Sequence, residues 1–167
     1  TEKSLSYLTP RISFRMNPSD MKNHSSADKS VNTDNIFSID RLGLNDSFEA
    51  GRSLTVGLDY KKEMLKDVNR YFELKLATVL RDKEENFLPK KSTLNRKTSN
   101  LFGSITNNFS ENIKINYNFS VDNNFDEISY NDINTTLSTQ NFSTTFNFIK
   151  ELGDMGDQNF LKNTTSY

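Results

Sequence analysis

Apolar and polar residues alternate with a period of two along much of this chain. The cleanest case is "NIKINYNFSVD", where Ile113, Ile115, Tyr117, Phe119 and Val121 interleave with Lys114, Asn116, Asn118, Ser120 and Asp122. Successive side chains of a strand point to opposite faces, so the pattern predicts a strand with one apolar and one polar face. The rhythm recurs in "RSLTVGLDYKK", with Leu54, Val56, Leu58 and Tyr60 against Ser53, Thr55, Gly57 and Asp59. In "NRYFELKLATVLR", Phe72, Leu74, Leu76 and Leu80 oppose Glu73, Lys75 and Ala77. "PRISFRMNP" sets Ile12, Phe14 and Met16 against Arg11, Ser13 and Arg15, and "NLFGSITNNF" has Leu101, Ile105 and Phe109 in phase. "YNDINTTLS" and "FSTTFNFIK" form a further pair, and "FLKNTTSY" closes the chain. These segments predict an all-β, antiparallel up-and-down meander of about eight strands, each roughly 8–11 residues long. No segment of helical period competes with them.

The connections alternate too. Short ones fall at "EMLKDV", "SEN" and "STQ"; longer polar ones fall at 19–51, 82–99, "NNFDE" and "LGDMGDQ". Membrane barrels of outer-membrane type show this asymmetry, with tight turns at one end and long loops at the other. A soluble antiparallel sheet also alternates, but a sandwich has more Gly and Pro turns and some fully apolar central strands. The pattern therefore points to a segment of a large transmembrane β-barrel spanning 1–167. Leu54, Val56, Leu58, Tyr60, Phe72, Leu74, Leu76, Ile113, Ile115, Tyr117 and Phe119 are expected to face lipid; Asp59, Lys75, Lys114, Asn116 and Asn118 are expected to face the lumen.

Composition fits that picture. Only 34% of residues are hydrophobic and the mean hydropathy is -0.71, values that by themselves suggest disorder. Thirteen Phe and six Tyr argue otherwise, and strands with every second residue polar satisfy both facts. A net charge of -1 gives no steering toward nucleic acid, and no basic patch interleaves with aromatics. The absence of Cys excludes disulfides and thiolate metal sites. No run approaches the roughly 18 apolar residues of a membrane-spanning helix. The chain starts at Thr1 with neither initiator Met nor signal peptide, and is expected to be a piece of a longer protein.

The stretch from Asp34 to Tyr60 changes character halfway, from a charged loop to a regular strand. Here "NIFSIDR" (35–41), then Asp46, then "FEAGRSLTVGLDY" (48–60) resemble the LptD family, the outer-membrane barrel that inserts lipopolysaccharide into the outer leaflet. "PRISFRMNP" before it, and "LPKKSTLNRKTSNLFGSI" and "NFSTTFNFIKELGDMGD" after it, look like flanking family segments, so the likeness spans roughly 10–165. Where many members carry Gly two residues before the Asp, Leu44 stands here, with Gly43 one place earlier. The resemblance implies a non-enzymatic transport barrel without cofactor or metal. Its implied partners are lipopolysaccharide, outer-membrane lipids, an LptE-like plug lipoprotein and a periplasmic Lpt bridge reached through a domain not included in this segment. On this reading the loop folds over or into the barrel as a plug. Arg41, Asp46 and Glu49 would supply internal salt bridges, Phe37 and Phe48 an apolar anchor, and Gly51 the entry to the strand.

Other chemistry is thin. His24, the only histidine, sits among polar residues in "KNHSSADK"; an outer-membrane hydrolase would need it on a rigid element. Glu84 and Glu85 are adjacent and would point opposite ways in an extended chain. Asp154 and Asp157 in "LGDMGDQN" lack the full order of a calcium loop. Two rivals remain open on sequence: a small complete barrel of about eight strands, and a secreted soluble sheet that binds carbohydrate or a surface. The latter requires the apolar faces to pack on each other.

Overall fold

In a computed structural model, which describes residues 3–153 and 157–167, the chain forms one antiparallel sheet of eight strands in sequential order. The strands are β1 (Ser4–Asn17), β2 (Gly51–Met64), β3 (Asp67–Arg81), β4 (Leu101–Ser110), β5 (Ile113–Val121), β6 (Ile128–Ser138), β7 (Ser143–Glu151) and β8 (Gln158–Ser166). Among the described residues there is no α-helix, only a single 3-10 turn at Lys90–Ser92. β1 and β8 are the two edges, so the sheet is an open meander. Three strands exceed the expected length: β1 and β2 have 14 residues and β3 has 15. β1 begins well before Pro10, which pairs with Leu58. A proline is tolerated there because an edge strand has a neighbour on one side only.

The connections sort by length to the two ends of the sheet. Residues 65–66, 111–112 and 139–142 turn at one end; 18–50, 82–100, 122–127 and the described residues 152–153 and 157 lie at the other. Two-residue links force adjacent strands into a tight hairpin register, and β2–β3 pairs residue for residue from Ser53↔Arg81 to Glu63↔Tyr71. Asp154 lies outside the described residues.

Register carries the alternation across the sheet, since pairing fixes the face of every side chain. Leu54 lies opposite Phe14 and Leu80, Leu58 opposite Leu76, and Tyr60 opposite Leu74. Leu76 faces Gly103, which faces Phe119; Leu74 faces Ile105, which faces Tyr117. Ile113 continues to Leu137. The apolar positions thus form one continuous surface, and it is bare: Ile12 is 75% exposed and Phe14 67%. Gly103 is the gap in this surface, and the Phe119 ring lies over it so closely that a Cβ there would sit 2.0 Å from Cζ.

The core lies on the other, polar face. Met21, Val31, Ile36, Leu42 and Leu44 of the first long loop and Leu88 and Leu94 of the second form one buried cluster with Ala77, Val79 and Phe102 of the sheet. Such an arrangement inverts that of a soluble β-sandwich, whose apolar strand faces meet each other.

Candidate functional site: a loop locked onto the polar face

The first loop, 18–50, runs from β1 to β2 and folds back over the polar face of β1–β4. Its turn at 40–43 is set locally: Gly43 takes φ +56° and donates its N–H to Asp40 Oδ1 at 2.9 Å. With glycine in the left-handed position, Leu44 is free to point into the core.

Beyond that turn a carboxylate meets three guanidiniums. Arg41 grips Glu49 at two points, Nε to Oε2 at 2.8 Å and Nη2 to Oε1 at 2.5 Å. Arg15 of β1 donates to Oε2 at 2.7 Å and Arg81 of β3 to Oε1 at 2.5 Å. Most of the remaining donors find oxygens. Arg41 Nη1 reaches Thr55 Oγ1 at 2.9 Å and the Ile36 carbonyl at 3.3 Å, and its Nη2 also reaches Ser53 Oγ at 3.3 Å. Arg15 donates to the Ser38 carbonyl, Arg81 to the Ala50 carbonyl. The side chains of Arg41 and Arg81 are each 1% exposed and that of Glu49 4%. Burial alone would raise the Glu49 pKa; the three arginines outweigh it and hold the carboxyl below its usual value.

Gly51 makes this geometry possible. Its φ is +84°, and a Cβ would stand 2.9 Å from Arg81 Nη2, so the guanidinium passes where any other residue would block it. Lower on the sheet, Phe37 packs into the space above Gly57, where a Cβ would be 2.8 Å from its ring. Arg11 caps the other side of that ring at 4.1 Å from the centroid. Thr33 Oγ1 donates to Ser104 Oγ on β4 at 3.1 Å.

Two expected members of the lock stand apart from it. Asp46 pairs with Lys22 at 2.9 Å and His24 at 2.8 Å near the loop surface, away from the Arg41–Glu49 pair. Lys22, chiefly, holds its carboxyl below the usual range. Phe48 is 67% exposed and anchors nothing, because Glu49 next to it turns inward and Phe48 therefore turns out. His24 is more ordered than its polar surroundings implied: its N–H donates to the Phe87 carbonyl at 2.8 Å.

Sequence reasoning missed Arg15 and Arg81 as partners of Glu49, and it missed the second loop. That loop closes over the same face through Leu88 and Leu94, and Lys91 joins Asp28 at 2.8 Å to Glu151 of β7 at 2.9 Å. The long polar stretch 82–99 carried one available signal, Phe87-Leu88 and Leu94 in otherwise hydrophilic sequence.

Asp59, Lys75, Lys114, Asn116 and Asn118 all lie on the loop-bearing face. Asp59 pairs with Arg11 at 3.5 Å, and Lys75 with Glu73 at 3.3 Å and Asp34 at 3.8 Å. From β4 onward the face becomes mostly uncharged: Asn118 and Asn147 both donate to Asp132, and Asn116 lies opposite Asn134.

Residues 1–163 match the family model described as LptD, LPS transport system D. The chain belongs to the LptD family. Membership assigns it, at the level of the family, to lipopolysaccharide transport, and the eight-stranded meander is the β-architecture expected of such a member. Comparison with curated proteins and with solved structures returned no match.

Proposed function

We propose that this chain forms part of the wall of the outer-membrane translocon that inserts lipopolysaccharide into the outer leaflet, with the bare face toward lipid and the loop-bearing face toward the lumen. The observation that carries this is the inversion of the fold. The apolar strand faces are left uncovered, while the polar faces carry the buried core. A soluble adhesin or carbohydrate-binding sheet would bury the apolar faces against each other and leave the loops solvated.

On this reading Leu54, Val56, Leu58, Tyr60, Phe72, Leu74 and Leu76, with Ile113, Ile115, Tyr117 and Phe119, meet acyl chains. Asp59, Lys75, Lys114, Asn116 and Asn118 line a hydrated passage for sugar and phosphate. The loop 18–50 is a plug, held by Arg41, Glu49 and Phe37, that keeps a wide lumen from leaking. Backbone that leaves the sheet at membrane depth is stable only where it is buried in protein or lines a watery cavity, and this loop's docking on the sheet meets that condition. The protein makes and breaks no covalent bonds, and a plug lipoprotein and a periplasmic bridge are its partners.

Depletion of the full-length chain in its own Gram-negative cell tests the reading. Newly made lipopolysaccharide should accumulate inside and vanish from the surface, and removal of residues 19–50 should admit bulky antibiotics while surface display persists. Normal surface lipopolysaccharide after depletion would refute the transport role.

A further inference from the structure

The lock is assembled from two sources. Arg15, Ser53 and Arg81 belong to three adjacent strands and lie in one cross-strand row, Arg15↔Ser53↔Arg81, pointing to the same face. Glu49 and Arg41 belong to the loop. The two strand-borne guanidiniums therefore converge on one point of the sheet face, and what sits there is an oxyanion delivered by the loop. The Glu49 carboxylate bridges them, one oxygen to each, at 2.7 and 2.5 Å.

The site is richer in cation than one carboxylate requires. Among the described residues the ion pairs of Arg15, Arg41 and Arg81 all run to Glu49, so two buried guanidiniums and one half-buried one share one carboxylate. Arg81 Nε is buried without any partner, a donor to spare. Guanidiniums that converge in this way suit a group with more oxygens and more charge than a carboxylate, which describes a phosphate.

We propose that the Arg15–Ser53–Arg81 row is an oxyanion site for phosphate groups, and that Glu49 is its tethered occupant, holding the plug shut until a phosphate displaces it. The inference rests on the plug reading of the loop. Glu49 lies just before β2, which starts at Gly51, and a carboxylate tethered so closely is present at an effective concentration of order millimolar or higher, so dilute free anions are excluded and only a concentrated, multiply charged group competes. Displacing Glu49 removes the charged part of the loop's anchor on the sheet, which couples occupation of the site to opening of the plug. A phosphorylated glycolipid arriving in the lumen and free phosphate present the same chemistry; the former is concentrated at the site by its transport.

The test uses the full-length chain in lipid nanodiscs. Glu49→Gln removes the tethered anion and keeps the side-chain volume, so titration with inorganic phosphate should show binding at least about tenfold tighter than in the unmodified protein. Adding Arg15→Gln and Arg81→Gln should abolish it. A second measurement retains Glu49: Val31→Cys places a thiol in the buried loop cluster of a segment that has none of its own, with any cysteine elsewhere in the full-length chain replaced by Ser, and its rate of maleimide labelling reports plug opening. Phosphorylated lipopolysaccharide should speed labelling several-fold and its dephosphorylated form should not. Acceleration by inorganic phosphate alone would identify the free ion as sufficient; acceleration only by the glycolipid would identify the headgroup. Two results overturn the proposal. One is phosphate binding that is no tighter in Glu49→Gln, or that persists without Arg15 and Arg81. The other is labelling indifferent to phosphorylation. The plug reading fails separately, if deletion of 19–50 leaves antibiotic entry unchanged.

Discussion

Two substitutions at the lock should rank opposite to their chemical severity. Arg41→Ala deletes a large side chain with two contacts to Glu49 and three to neighbouring oxygens. Glu49→Gln changes one atom. Breaking a buried ion pair by removing one partner costs about 3–5 kcal/mol, because the other charge is left buried and uncompensated. After Arg41→Ala, Glu49 keeps Arg15 and Arg81, and the repulsion among cations falls, so the cost belongs at or below the lower limit, about 3 kcal/mol. After Glu49→Gln three guanidiniums face one another around a neutral amide, and the cost belongs at the upper limit, about 5 kcal/mol. Amide hydrogen exchange of 18–50 in nanodiscs reads these values as loop-opening free energies. Opening should rise about a hundredfold in the first variant and well beyond that in the second. The double variant should cost less than the two added together, because the neighbours share one network. Arg52→Gln serves as control: it breaks a pair with Asp82 at 2.9 Å whose partners are largely solvated, and exchange should not change measurably. If Glu49→Gln exchanges within twofold of the parent, or less than Arg41→Ala, electrostatics does not hold the loop.

Lowering the pH should release the same loop. The folded pKa of Glu49 lies below its unfolded value of about 4.3, so its contribution is complete above that value and fades as the pH falls through the lower folded pKa; loop exchange should accelerate below about pH 4 and Glu49→Gln should abolish the acceleration. Gly57→Ala should loosen the loop by about 1–3 kcal/mol, since the new Cβ meets both the Phe37 ring and the Leu76 carbonyl; Phe37→Ala should relieve part of that cost, which protease sensitivity of the loop can follow. Gly103→Ala should impair assembly into membrane while leaving loop exchange unchanged, because Phe119 covers the opposite face. Lys91→Ala should free the second loop at low salt and have little effect at high salt, as expected of partly exposed pairs.

The sheet was legible because a period of two needs no tertiary knowledge. "NIKINYNFSVD" can be read by eye, and β5 occupies nearly that span. Loop lengths gave the order of the ends. Strand boundaries were not legible at β1, where the reading began the strand at Pro10 yet "SLSYLTP" pairs with Met64 through Leu58; the partner strand carries the order past the proline. In the lock, Arg41, Glu49, Phe37 and Gly51 were visible as a charged, glycine-bearing run next to a regular strand. Arg15 and Arg81 were hidden because each stands at the polar phase of its own strand, where a charged residue reads as ordinary. Only the register Arg15↔Ser53↔Arg81 brings them together, and register between distant strands is not written in either one. Phe48 was hard to place for a related reason: its aromaticity marked it, but the parity of the chain beside Glu49 decided which way it pointed.

The lock also bears on why a plug should be built from charge at all. The loop's apolar cluster alone would bind the sheet, but hydrophobic contact is indifferent to what passes through a lumen. A buried carboxylate among arginines stabilises little compared with an apolar replacement, and its advantage lies in what can undo it. Such a lock ignores water and small neutral solutes, and it yields to a group that offers the arginines more oxygens than Glu49 does. On the proposed reading, a barrel that must stay sealed to antibiotics yet open for a phosphorylated glycolipid needs that discrimination, and placing Arg15 and Arg81 on the strands and the carboxylate on the loop would provide it, because the fixed half of the pair would then be the half that recognises the cargo.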